Sequence, residues 1–237
     1  MPDVNILGVV LALVGSCIAT LFAVQMGRQY AAKRRDHALA WCLSFVLYVL
    51  GMLALAVGFA FGWEPPVYGL YWLTGALLNV PLLAVGQLHL SAPKLSVLWW
   101  TFALLFTVWT VGAMLTSNFD HSVLAAATTD GTIPAGAEAI GRDSLAYSVL
   151  RPFTMGGTLV VVAGTLWSAI SSRRYGLLLI SVGVLISASS STFLRMGLDA
   201  WVAVALTAGI SVMYLGFQAA AKPSKRPKDA APAKAAA

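Results

Sequence analysis

Charge is scarce in this chain: Asp, Glu, Lys and Arg make up 10% of its 237 residues, against about 25% in ordinary soluble domains. So few charges cannot cover a surface that meets water on every side, which excludes a soluble globular fold. Cysteine is scarcer still. Cys17 and Cys42 both lie inside apolar runs, where a free thiol packs as a small hydrophobe, so there is neither a disulfide framework nor a CxxC metal motif. Absent too are HExxH, DxxD and any pair of carboxylates in or beside the apolar stretches, the arrangements that metal-assisted and acid–base hydrolysis use. No enzymatic function is expected, and no cofactor or metal.

What the chain has instead is apolar length. Hydrophobic residues make up 59% of it and the mean hydropathy is +0.82. A helix that crosses the hydrocarbon core of a bilayer needs about 20 mostly apolar residues. Seven stretches meet that, at 5–26, 38–62, 67–90, 95–116, 148–170, 175–195 and 199–220. The expected fold is therefore all-α, an integral membrane bundle of seven transmembrane helices over residues 1–220. The acidic residues and lysines lie between the spans or in their flanks, so a proton relay through the membrane, which places ionisable groups at mid-depth, is not expected.

The basic residues set a direction. Arg28, Lys33, Arg34 and Arg35 follow the first span, Lys94 precedes the fourth, Arg173 and Arg174 separate the fifth from the sixth, and Lys222, Lys225, Arg226, Lys228 and Lys234 lie in the tail. All twelve fall on one side, against Arg142, Arg151 and Arg195 on the other. Lys and Arg concentrate in cytoplasmic loops, which predicts an N-terminus outside and a C-terminus in the cytoplasm. Asp3 stands where a signal peptide would be basic, so the first span is expected to stay. The pI near 9.6 does not point to nucleic acid, because the basic residues flank spans and form no single face. Residues 117–147 form one long, acidic outer loop, expected to cap the bundle. The Lys/Pro/Ala-rich tail, 221–237, reads as a disordered basic segment drawn to anionic lipid.

Polar residues inside the spans are the candidate ligand-binding set. Asn79 and Pro81 sit together near the middle of the third span, where Pro81 frees the carbonyl of Leu77 and kinks the helix. In lipid such a group must find a partner within the protein, so Asn79 is expected to face other helices. It serves there either as interhelical glue or as a ligand-orienting amide, and the sequence leaves both open. Tyr48, Ser187 and Tyr214 lie at comparable depth. Arg151 and Arg195, at outer span ends, could hold an anionic group above a serine-rich funnel formed by Ser187, Ser189, Ser190 and Ser191. Gly183–Ser187–Ser191, Gly58–Gly62 and Ala205–Gly209 have the small-xxx-small spacing of close helix pairs. His37 and His89 fall near the cytoplasmic face and read as interfacial histidines rather than haem or metal ligands. Trp63, Tyr68, Tyr71, Trp72, Trp99, Trp100 and Trp201 read as interfacial belt residues.

Two segments, "YGLYWLTGALLNVPLLAVGQLHL" and "GISVMYLGF", resemble a recurring type of bacterial seven-helix membrane protein. The layout is also similar to the seven-helix sensory modules that precede some bacterial histidine kinases. It has the topology of microbial rhodopsins without their retinal lysine, since the last span meets no lysine before Lys222. The resemblance implies a bacterial plasma membrane and a receptor-like or accessory role. The expected partners are membrane lipids, a small apolar or lipid-like ligand, and a membrane protein or a second copy of the chain. The alternative is a transporter or channel for a neutral or weakly charged solute, but no inverted repeat is visible.

Overall fold

The computed structural model describes residues 5–172 and 176–221, without the side chains of 150, 151, 172 and 221. The tail 222–237, with its lysines, lies outside the described residues, as do Arg173 and Arg174. The described chain is helical almost throughout: α1 (Ile6–Lys33), α2 (Asp36–Phe61), α3 (Pro65–Tyr71), a π-helix (Trp72–Leu78), α4 (Asn79–Ser91), α5 (Ser96–Leu115), α6 (His121–Asp130), a second π-helix (Ala137–Gly141), α7 (Leu145–Ser172), α8 (Gly176–Arg195) and α9 (Asp199–Ala221). Seven spans are long and apolar enough to cross a membrane, with α3, the first π-helix and α4 forming one of them. The sequence reading stops the first span at 26, whereas α1 runs on to Lys33. The basic run interrupts apolarity but not helicity, and the turn comes at Arg34, whose φ of 47° breaks the helix.

Tight connections make neighbouring spans antiparallel and give the bundle two unlike ends. One carries Arg28, Lys33, Arg34, Arg35 and Lys94 with Asp36. The other carries Glu64, Asp120, Asp130, Glu138, Asp143 and Asp199 with Arg142 and Arg195. We call these the basic and the acidic end.

Small residues decide which helices pack closely. Along the α8–α9 seam Gly183 faces Gly209 and, two turns away, Gly176 faces Gly216. A Cβ on Gly209 would stand 2.7 Å from the Gly183 carbonyl oxygen, and one on Gly216 would stand 2.8 Å from that of Gly176. These distances leave room only for Cα–H···O contacts between the backbones. Of the expected small-xxx-small sets, Gly183 and Ser187 do meet Gly209, while Ser191 is exposed. Gly58–Gly62 is not a helix seam. Gly58 makes room for the Trp63 ring, and Gly62 ends α2 at φ 97°, a left-handed backbone that suits glycine.

The acidic end is closed by residues 117–144. Asp120 caps α6 by accepting from the Ser122 and Val123 amides; the Ser122 hydroxyl, and after it those two amides, hold its carboxyl below the usual range. A depressed carboxylate stabilises the cap above its unfolded pKa, and that contribution fades as pH falls through the folded value. The strand-like link after α6 then threads between helix ends. The Trp63 indole donates to the Thr132 carbonyl at 2.7 Å. Asp199 accepts from the Ile133 amide at 2.9 Å, and Tyr68 donates to the Pro134 carbonyl at 3.1 Å. Trp63, Tyr68 and Trp72 are buried, so the expected aromatic belt is here an aromatic floor beneath the cap. The sequence places them at a span end and expects a loop above them; that the loop buries them carries no local signal. Trp201, more than half exposed, does face outward.

Candidate functional site

Asn79 opens α4 where the π-helix ends. A π-turn bonds each carbonyl to the amide five residues on, and five residues beyond Ala76 stands Pro81, which has no N–H. Thr154 on α7 supplies the missing donor: its hydroxyl bonds the Ala76 carbonyl at 3.1 Å. The carbonyl rescued by a neighbouring helix is thus that of Ala76 rather than the expected Leu77, because the π-turn shifts the register by one. The π-helix also lies flat on α2, with a Cβ on Gly51 meeting the Gly75 Cα at 3.0 Å.

Asn79 is buried and faces the bundle interior. Its partner is Ser44, fully buried on α2, whose hydroxyl lies 2.6 Å from Asn79 Oδ1 and 2.9 Å from the Asn79 carbonyl. Serine is common and small, so nothing in the sequence singled out Ser44. One turn further along α2, Tyr48 donates to the Leu206 carbonyl on α9 at 2.8 Å; Ser187 on α8 packs against Gly209 of α9, with its hydroxyl unpartnered. Thr207, next on α9, donates to the Leu11 carbonyl of α1 at 2.8 Å. Thr165 on α7 and Ser181 on α8 share a hydrogen bond.

These contacts form one polar layer, about three turns deep along α7 from Thr154 to Thr165, running α1–α9–α2–α4–α7–α8 through side-chain hydrogen bonds. It joins every span except α5. Among the described residues, no side-chain hydrogen bond ties α5 to another helix within the apolar depth of the bundle. Its polar link to another helix is at the basic end, where Ser96 donates to Asp36. Thr110, buried on α5, has an unpartnered hydroxyl. Elsewhere α5 is held by ring contacts, chiefly Phe106 against Phe153 of α7 at 4.7 Å.

A groove of about 160 Å³ opens where this loosely held span meets α4 and α7, lined by Pro81, Val85, Leu88, Phe102, Phe153 and Gly156 among others. Its shape follows from sequence. Pro81 and Pro152 interrupt hydrogen bonding on facing walls, and Gly156 leaves open space, with nothing within 4 Å of where its Cβ would be. A second void, enclosed among Trp41, Phe45, Leu83, Thr165 and Met213, is about 10 Å³, room for about one water.

Of the sequence candidates, Asn79, Tyr48, Ser187, Tyr214 and Arg195 do not line the groove. Tyr214 accepts from Gln218 at 2.8 Å on their shared helix. Arg195 is exposed and turns back to donate to the Ser191 carbonyl at 3.0 Å. The side chain of Arg151 lies outside the described residues. Ser189 and Ser191 donate to carbonyls of their own helix, while the Ser187 hydroxyl is buried without a partner. His89 is buried, against the expectation of an interfacial residue. Its Nδ1 donates to the Val85 carbonyl at 2.8 Å, and its buried Nε2 has no partner. His37 lies within electrostatic reach of both His89 and Arg35. Gln87, whose amide nitrogen is buried and unpartnered, fills the space above Gly164 and was not singled out by sequence.

Comparison with family models, curated proteins and solved structures finds no match to this chain. The likeness to bacterial sensory modules therefore gains no support from them, and the function has to be argued from the geometry.

Asn79→Leu is expected to change thermal stability in detergent only slightly. The Ser44 hydroxyl keeps the residue-79 carbonyl as acceptor, and interhelical hydrogen bonds in membranes average about 0.6 kcal/mol. Ser44→Ala removes the donor and strands the amide oxygen, which costs about 1–3 kcal/mol. Release of bound lipid by Asn79→Leu, with stability unchanged, would move Asn79 from scaffold to ligand site.

Proposed function

We propose that this chain is a non-enzymatic, receptor-like or accessory protein of a bacterial plasma membrane, and that it binds a lipid-like apolar ligand in the groove between α5 and the α4–α7 wall. The groove carries the reading: it lies beside the one span that the polar layer leaves out. Six spans are locked to one another by hydrogen bonds that need no ligand, so they form a rigid frame. α5 is held by apolar contacts, which lipid tails can replace at little cost because they are as apolar as the side chains themselves. A channel or transporter for a neutral or weakly charged solute has less support, since the bonded groups of the polar layer are engaged in helix pairing and the acidic end is covered by the cap.

Gly156→Leu tests this reading. No atom lies within 4 Å of where a Cβ at Gly156 would stand, so the variant is expected to fold, with its thermal midpoint within a few degrees of the parent. Lipid extracted with the purified variant should fall several-fold. Equal lipid in both proteins would remove the groove as a binding site.

The positive-inside argument places the basic end in the cytoplasm. A reporter inserted at Thr132 should then be active only outside the membrane, and one fused after Lys234 only inside. The reverse pattern would invert the orientation.

A further inference from the structure

We infer that the groove selects an anionic phospholipid, seated with its chain between α5 and the α4–α7 wall and its headgroup at the basic end. The inference rests on the groove reading above and adds what the ligand must carry. A hydrocarbon chain leaving bulk lipid for an apolar groove exchanges one apolar surrounding for another, so the chain contributes little discrimination. Any preference among lipids has to arise at the headgroup.

The groove points to where that headgroup lies. Its α4 wall ends at Leu88, and one turn further the chain passes through Pro93–Leu95 into α5. Lys94 is exposed in that turn, at the mouth shared by the two helices. Arg34 and Arg35 are exposed at the neighbouring corner between α1 and α2. His37 connects that corner to α4, being within electrostatic reach of Arg35 and His89, and the Asp36–Ser96 hydrogen bond fastens it to the start of α5. Asp36 is the acidic residue among the described ones at this end, and its carboxylate is already engaged. The mouth thus carries net positive charge at headgroup depth. Trp99 and Trp100 flank it on α5, both partly exposed, as aromatics at a membrane interface are.

Native mass spectrometry of the full chain tests this, with the protein exchanged into mixed micelles containing phosphatidylcholine or phosphatidylglycerol of identical chains. The parent should retain phosphatidylglycerol preferentially. Lys94→Gln and Arg35→Gln should each lower that retention about fivefold, the effect of about one basic residue at a membrane surface, and leave phosphatidylcholine unchanged. Gly156→Leu should lower both lipids. Equal retention of the two lipids by the parent, or a preference that survives both charge variants, would overturn the headgroup assignment while leaving the groove in place. Lipid retention untouched by Gly156→Leu would overturn the groove itself. A dimer that Gly156→Leu dissociates, with no lipid bound, would show that a second copy occupies the groove and would overturn both.

Discussion

Gly209→Leu is expected to lower the thermal midpoint in detergent by roughly 6–12 °C, from a packing penalty of ~3 kcal/mol. The Cβ alone would stand 2.0 Å from the Ser187 hydroxyl oxygen, 2.7 Å from the Gly183 carbonyl oxygen and 2.8 Å from the Ser187 amide nitrogen. Two of those three atoms are backbone, which no rotamer change can move, so α8 and α9 must separate. Separation reaches Gly176 and Gly216 as well, because the same seam holds both glycine pairs. It also disturbs Leu206 and Thr207, through which α9 joins α2 and α1. Gly209→Ala should show the same direction at smaller size. Gly156→Leu is the matched control, since it adds the same side chain to open space. If Gly209→Leu and Gly156→Leu melted alike, close backbone packing would not be what holds α8 to α9.

The seven spans were legible because span length and hydropathy are local properties, and each stretch declares itself without reference to the others. The Asn79–Pro81 pair was legible for a similar reason: an amide and a missing N–H in one apolar run are conspicuous. Their partners were not. Ser44 and Thr154 are ordinary small polar residues, and what makes them matter is the rotation and depth of α2 and α7, which a single sequence does not encode locally. The π-helix was hidden too, since nothing in Trp72–Leu78 distinguishes a five-residue repeat from a four-residue one. His89 was misjudged from its place near a span end; burial depends on α2 and α5, which pack around it. The groove is hardest of all to read from sequence. It exists because one span lacks the hydrogen bonds that the other six share, and that is a property of the whole bundle.

Trp63→Ala is expected to release the cap at the acidic end while leaving the six-span frame folded. The indole fills the space above Gly58, where a Cβ would come within 2.6 Å of the ring, and it meets Tyr68 edge-on at 5.7 Å. Removing a buried aromatic of this size costs about 3–5 kcal/mol. Here the loss falls on few contacts, since the cap is fastened chiefly through Thr132, Ile133 and Pro134, and the Trp63 indole is one of those fasteners. Local opening needs less free energy than global unfolding, so the penalty should appear as cap opening. Hydrogen exchange of the Ile133 amide should speed up by two orders of magnitude or more, and proteolysis should begin within 117–144. Trp63→Phe keeps most of the packing but strands the Thr132 carbonyl, and should give an intermediate rate. A cysteine placed at Ser187 gives the functional readout. Behind a closed cap it should resist a membrane-impermeant maleimide, and in the Trp63→Ala background it should react. Unchanged exchange at Ile133 would mean that the cap is held by its other contacts. Labelling of the Ser187→Cys protein with Trp63 intact would show an open path from the acidic end, and with it the transport reading would regain its ground against lateral entry beside α5.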